Sequence, residues 1–221
     1  MSLIAVTNVT TSGTSTPVQV LVLLTLITVL PGVLFALTGF TRILIVLGFV
    51  RNALGTPTTP PNQILVGIAF FLTLFVMAPT FRQIEKQAVK PYMNHSISQK
   101  VALERAGEPL RTFMFKQTRT SDLALFVDLA HGKRPRTRAD VPSHVLIPAF
   151  IISELKTAFQ IGFLIYLPFL IIDMVVASTL TSMGMMMLPP ALISLPFKIL
   201  LFVLVDGWHL VIQSLVNSFH G

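Results

Sequence analysis

The feature that most constrains this chain is where its charge is missing. Residues 1–41 contain no Asp, Glu, Lys or Arg, and residues 52–81 contain none either. Residues 82–140 hold twelve Lys/Arg and six Asp/Glu; after Asp140 the charged residues are Glu154, Lys156, Asp173, Lys198 and Asp206. Charged residues make up 11% of the 221, against roughly a quarter in an ordinary soluble domain, too few to solvate a globule. At 53% hydrophobic the chain also carries far more apolar surface than a disordered one. The reading is a membrane-type, all-α protein. It divides into an uncharged Thr/Ser-rich lead (1–17), apolar N-terminal helices (18–81), a basic polar insert (82–140) and apolar C-terminal helices (141–221).

A spanning helix needs about 20 mostly apolar residues. Residues 18–40 supply 23 and residues 64–81 supply 18; residues 159–183 and 191–219 are each long enough for one more. Pro31-Gly32, Pro168 and Pro189-Pro190 lie in or beside these runs, where proline removes a helix hydrogen bond and bends the chain. Freed backbone groups at membrane depth must be buried in protein or line a wet cavity. Kinked helical hairpins, packed on protein as much as facing lipid, are therefore expected. No basic segment precedes residue 18, so no cleavable signal is recognisable, and residues 1–17 read equally as a short N-terminus or as the start that follows a removed segment.

The insert reads as helical. Ser98 can cap a short helix to about Ala106 with Gly107 as its stop, and Pro109 suits the first turn of a second helix ending near Gln117. Ser121 can cap a third over residues 122–130, in which Leu123, Phe126, Val127 and Ala130 share one face. A basic loop, Lys133-Arg134-Pro135-Arg136-Thr137-Arg138, follows.

Catalytic readings fail early. There is no cysteine, hence no disulfide, thiolate metal site or thiol nucleophile. His95, His131, His144, His209 and His220 show no ligand spacing with one another; Asp206 with His209 lacks further ligands, so no metal is expected. No glycine-rich phosphate loop occurs, so no cofactor is expected and the chain does not read as an enzyme. The insert mixes both charge signs without interleaved aromatics, which argues against nucleic acid. Glu154, Lys156, Asp173, Lys198 and Asp206 are costly in apolar helices. They suit ion pairs with another helix or another chain better than a relay, since Lys198 and Asp206 cannot touch within one helix, nor Glu154 and Lys156. The competing reading is a stand-alone four-span ion-coupled transporter with Asp173 and Asp206 as coupling acids.

One segment stands apart: Gly184-Met185-Met186-Met187-Leu188-Pro189-Pro190. The glycine and two prolines make it a turn between helices. Methionine is unbranched and adaptable, so a ring of such loops would form a soft seal able to conform to a passing chain.

The residues from Pro148-Ala149-Phe150 through Ser153-Glu154-Leu155-Lys156-Thr157-Ala158 to Gly162-Phe163 resemble the first signature of the FliP family of flagellar export-gate proteins, whose virulence counterparts are the SctR proteins of type III secretion. Pro196-Phe197-Lys198 and Asp206-Gly207-Trp208 resemble the second. Further matches are Phe40-Thr41-Arg42, Arg51-Asn52-Ala53-Leu54-Gly55-Thr56-Pro57, Pro60-Pro61-Asn62-Gln63 and Lys116-Gln117-Thr118-Arg119. The likeness covers residues 18–220, and the flagellar branch matches better. It implies a ring of five copies joined by FliR and FliQ, a cone-shaped helical channel, with FlhB and FlhA as further partners and exported flagellar proteins as substrates. It implies a place in the bacterial inner membrane and flagellar basal body, largely at the periplasmic face, although the basic insert alone would be counted cytoplasmic. By the same resemblance Met185, Met186 and Met187 close the pore between the turn residues Gly184, Pro189 and Pro190. Glu154, Lys156, Lys198 and Asp206 face other subunits or the channel, and Phe113 and Phe126 make inter-subunit contacts of the insert.

Overall fold

The computed structural model describes residues 16–130, 135–185 and 187–220. Its elements are α1 (Thr16–Ala36), α2 (Phe40–Ala53), α3 (Asn62–Ile84), a π-helical turn (Glu85–Val89), α4 (Lys90–Met93), α5 (Gln99–Gln117), α6 (Thr120–Leu129), α7 (Ser143–Ser182), α8 (Pro190–Leu204) and α9 (Gly207–Asn217). Among the described residues there is no strand, so the all-α expectation holds. The chain separates into two compact units, residues 1–36 and 37–221.

In the first unit α1 runs unbroken through Pro31-Gly32, where the sequence suggests an interruption. A proline removes one donor, and along an otherwise apolar 21-residue helix the remaining hydrogen bonds carry the turn. Thr25 and Thr28 donate their hydroxyls to the carbonyls of Leu21 and Leu24, which satisfies them inside an apolar segment.

The second unit is built around α2. Phe40, Ile43, Val46, Leu47, Val50 and Ala53 are buried at helical spacing, between α3 on one side and α7 on the other. Each such large side chain removed from water contributes about 1.5–3 kcal/mol. α2 ends in a Schellman turn: Gly55, at φ +76°, donates to Asn52 O, and Thr56 N–H reaches Arg51 O. α2 and α7 run side by side in the same direction. Arg42 meets Glu154 near one end, while farther along Phe49 stacks edge-on against Phe159 (5.3 Å) and packs on Gly162, where a Cβ would strike its ring. α7 is 40 residues long and α2 only 14, so α7 overhangs the α2–α3 turn by about 24 Å at 1.5 Å per residue. α8 folds back along that overhang.

Two described helices are long and apolar enough to cross a membrane, residues 62–93 and 143–182; a third counts if α8 and α9, bent by 66°, are one broken span. The expected run 64–81 falls within the first of these, and the runs 159–183 and 191–219 overlap the other two but for their last one and two residues. The sharp bend lies at Asp206, in the left-handed region (φ 50°, ψ 54°), whereas α7 continues through both Pro148 and Pro168.

The insert departs from expectation in three ways. Ser98 does cap, accepting from Val101 N–H at 3.5 Å, but one helix, α5, then runs through Gly107 and Pro109 to Gln117. Pro109 costs a single hydrogen bond, and its burial against the fold offsets that cost. Arg119, not Ser121, holds the N-cap position of α6; Ser121 lies in the first turn and donates its hydroxyl to Asp122 Oδ1 at 3.4 Å. Leu123, Phe126 and Val127 do pack on the core of Met114, Val141, Val145, Leu146 and Phe150, while Ala130 is exposed.

Candidate functional site

Three polar nodes fix the frame on which the methionine loop stands. The first is Arg42, 1% exposed. Its Nε donates to Glu154 Oε2 (3.0 Å), and Nη2 to Glu154 Oε1 and to Gln117 Oε1 (2.9 Å). Nη1 donates to Ser218 O (2.9 Å) and Ser218 Oγ (3.0 Å), and the guanidinium lies 4.0 Å over the Phe219 ring. All five donors are used, so α2, α5, α7 and the end of α9 meet at one bidentate, fully satisfied cation. Gln117 Nε2 closes the node by donating to Phe219 O at 3.0 Å.

The second node joins α6 to α7. Ser153 donates to Asp122 Oδ2 (2.7 Å) and accepts Arg119 N–H (3.1 Å). Lys156 approaches Asp122 at 3.9 Å with its side chain half exposed, a weak pair. Arg119 Nη2 reaches Gln160 Oε1 (2.5 Å) and Thr157 Oγ1 (3.2 Å). The third node staples the α7–α8 hairpin: Lys198 Nζ donates to Asp173 Oδ2 and Ser194 Oγ to Asp173 Oδ1, both at 2.6 Å. Lys198 and Ser194 are buried. Below them Phe169, Phe202 and Trp208 form a ring ladder (6.3 and 5.3 Å) flush against Gly207.

At the free end of the hairpin α7 stops in a second Schellman turn. Gly184 at φ +74° donates to Thr181 O (3.0 Å), and Met185 N–H to Leu180 O (2.9 Å). Pro189 takes the N-cap of α8 and Pro190 its first position, where a missing N–H costs nothing. Between them Met185, Met187 and Leu188 are exposed, Met187 at 98%. Met186 lies outside the described residues. The loop is thus a short sulfur-rich tip fixed at both ends, about 18 Å beyond the Lys198–Asp173 staple at 1.5 Å per residue.

The structure therefore brings Gly184, Met185, Met187, Pro189 and Pro190 together at the tip. The resemblance turns Glu154, Lys156 and Lys198 toward other subunits or the channel. Here Glu154 and Lys198 are buried and paired inside one chain, and Lys156 leans on Asp122. Asp206 is exposed at the α8–α9 bend. Phe113 is half-buried, 6.0 Å from the Phe150 ring and 6.4 Å from Phe219, and Phe126 sits on the same core. Among the described residues no three His, Asp or Glu gather as metal ligands. Sequence reasoning did not find Arg42 as the partner of Glu154, nor Gln117 and Ser218 as the further acceptors of Arg42. The available signal was that Arg42 is one of only two charges before residue 82.

Such a frame defines a class: a helical membrane protein whose buried charges Arg42, Glu154 and Lys198 are paired within the chain and whose exposed apolar tip stands between two helix ends. Comparison with known proteins then narrows it. The FliP family model matches residues 23–215, and the chain belongs to the FliP family. It is 60% identical over 205 residues to the flagellar biosynthetic protein FliP of Bacillus subtilis, covering 93% of each chain. It is 58% identical to that of Pectobacterium carotovorum (92% of this chain, 79% of the relative). The corresponding protein of Caulobacter vibrioides is 52% identical (91% and 76%).

Proposed function

We propose that this chain is a pore-forming, non-catalytic subunit of the flagellar protein-export gate, set in the bacterial inner membrane at the basal body, largely at its periplasmic face. Five copies, with FliR and FliQ, surround the path through which unfolded flagellar proteins pass, next to FlhB and FlhA. The observation that carries this reading is the methionine tip on the overhanging α7–α8 hairpin. Along that overhang Ile171, Met174, Val175, Leu192 and Met187 are all exposed. An apolar hairpin projecting this far is stable only against lipid or other protein. Flexible thioether side chains at its end suit a seal that reshapes around different sequences. The membership of the family and the flagellar names of its relatives support the system; the pairing of Asp173 with Lys198 and Ser194 disfavours a coupling acid there.

The test replaces Met185, Met186 and Met187 together by Ala. Cells carrying the altered chain are expected to leak small ions across the inner membrane while still assembling the particle. Unchanged conductance in that variant removes the seal from the reading.

A further inference from the structure

Outside the insert the chain has seven charged residues: Arg42, Arg51, Glu154, Lys156, Asp173, Lys198 and Asp206. Arg42 takes Glu154, Lys198 takes Asp173, and Lys156 leans on Asp122. One cation and one acid are left over. Arg51, half-buried in the last turn of α2, donates through Nη1 to Asn62 Oδ1 (2.5 Å) and Pro60 O (3.4 Å), both neutral, and its Nε is buried without an acceptor. Asp206 is exposed at the bend, and among the described residues no base pairs with it. An orphaned guanidinium donor in an apolar region asks for an anionic acceptor.

The two leftovers stand at the same level of the helix stack. From the Arg42–Glu154 contact, nine residues along α2 reach Arg51, and nine along the parallel α7 reach Phe163. From the Asp173–Lys198 contact, eight residues along the antiparallel α8 reach Asp206, opposite Ile165 on α7. Two residues on α7 amount to about 3 Å, less than one helical turn. A chain that carries both an unpaired cation and an unpaired acid at one height is complementary to itself. Copies set side by side with helices parallel neutralise both, with nothing left over inside a closed ring.

We propose that Arg51 of one copy pairs with Asp206 of the next, a head-to-tail ion pair between adjacent copies of this chain. The pair rests on the gate reading only in requiring that copies assemble.

The absence of cysteine gives a direct test. The full chain carrying Arg51→Cys and Asp206→Cys together, oxidised in the particle purified in mild detergent, is expected to give a ladder of linked copies. A mixture of the two single variants is expected to give dimers only. An intact particle without a ladder, or self-linking by either single variant, overturns the pair but not the gate. Failure of the unaltered chain to form any multi-subunit particle overturns both. A pair of neutral variants supplies the second arm. Asp206→Asn keeps a residue that tolerates the left-handed backbone and is expected to lower the yield of particle about tenfold. Arg51→Gln is expected to lower it by a similar factor, and the two together by no more than the worse single one. If a lipid phosphate or a different subunit takes Arg51 instead, the two losses multiply, and the proposal falls.

Discussion

Arg42 shows how a charge survives in an apolar interior: it is held by groups from three other parts of the chain and leaves no donor idle. Replacing it with Met strands the Glu154 carboxylate, and the loss expected is about 3–5 kcal/mol. Glu154→Gln keeps one of the two acceptors, turns an amide NH2 against the guanidinium and leaves Arg42 without a counter-charge, so a similar loss is expected. Denaturant unfolding in detergent, followed through Trp208, the single tryptophan, checks both; losses under about 1 kcal/mol would mean that the pair is not what stabilises the node. At this scale the sequence was half legible. Glu154 was marked as costly, yet its partner stands 112 residues away, and no local spacing rule reaches that far. Asp140 was not marked at all. It accepts Thr137 Oγ1–H (2.8 Å) and Thr137 N–H (2.9 Å), and these bonds hold its carboxyl below the usual aspartate range. A lowered folded value means that the anchor is complete above the unfolded value of about 4 and fades as pH falls through the folded one. Protection of the Thr137 amide from hydrogen exchange is therefore expected to persist at pH 5 and to drop below about pH 4.

Among the elements, the turns were easier to read than the helices. Gly184 lies at φ +74° and Pro189-Pro190 open α8, and a left-handed glycine and a first-turn proline are local requirements of the backbone. Gly107 and Pro109 carry the same letters in α5 and mark nothing, because tertiary contacts along the helix outweigh a local stop. The contrast yields a prediction. Gly184→Ala, at φ +74°, is expected to cost about 1–2 kcal/mol and to open the loop to limited proteolysis, whereas Gly107→Ala is expected to stabilise α5 by up to about 1 kcal/mol. A tip as resistant to protease after Gly184→Ala as before would show that the Schellman turn does not set its shape.

At the scale of the whole molecule, charge patterning made the apolar runs and their polar insert readable, and all four expected runs are helical over most of their length. The overhang of α7 was not readable, because it depends on the direction in which α2 and α7 pair. The Arg42 node also has a temporal side. During synthesis Arg42 emerges first, and its acceptors at positions 117, 154 and 218 follow only after 75, 112 and 176 further residues. Arg42 stands in the first turn of a 14-residue helix, so α2 can take its final packing only after those acceptors have been made, and the order of translation sets when the node can close.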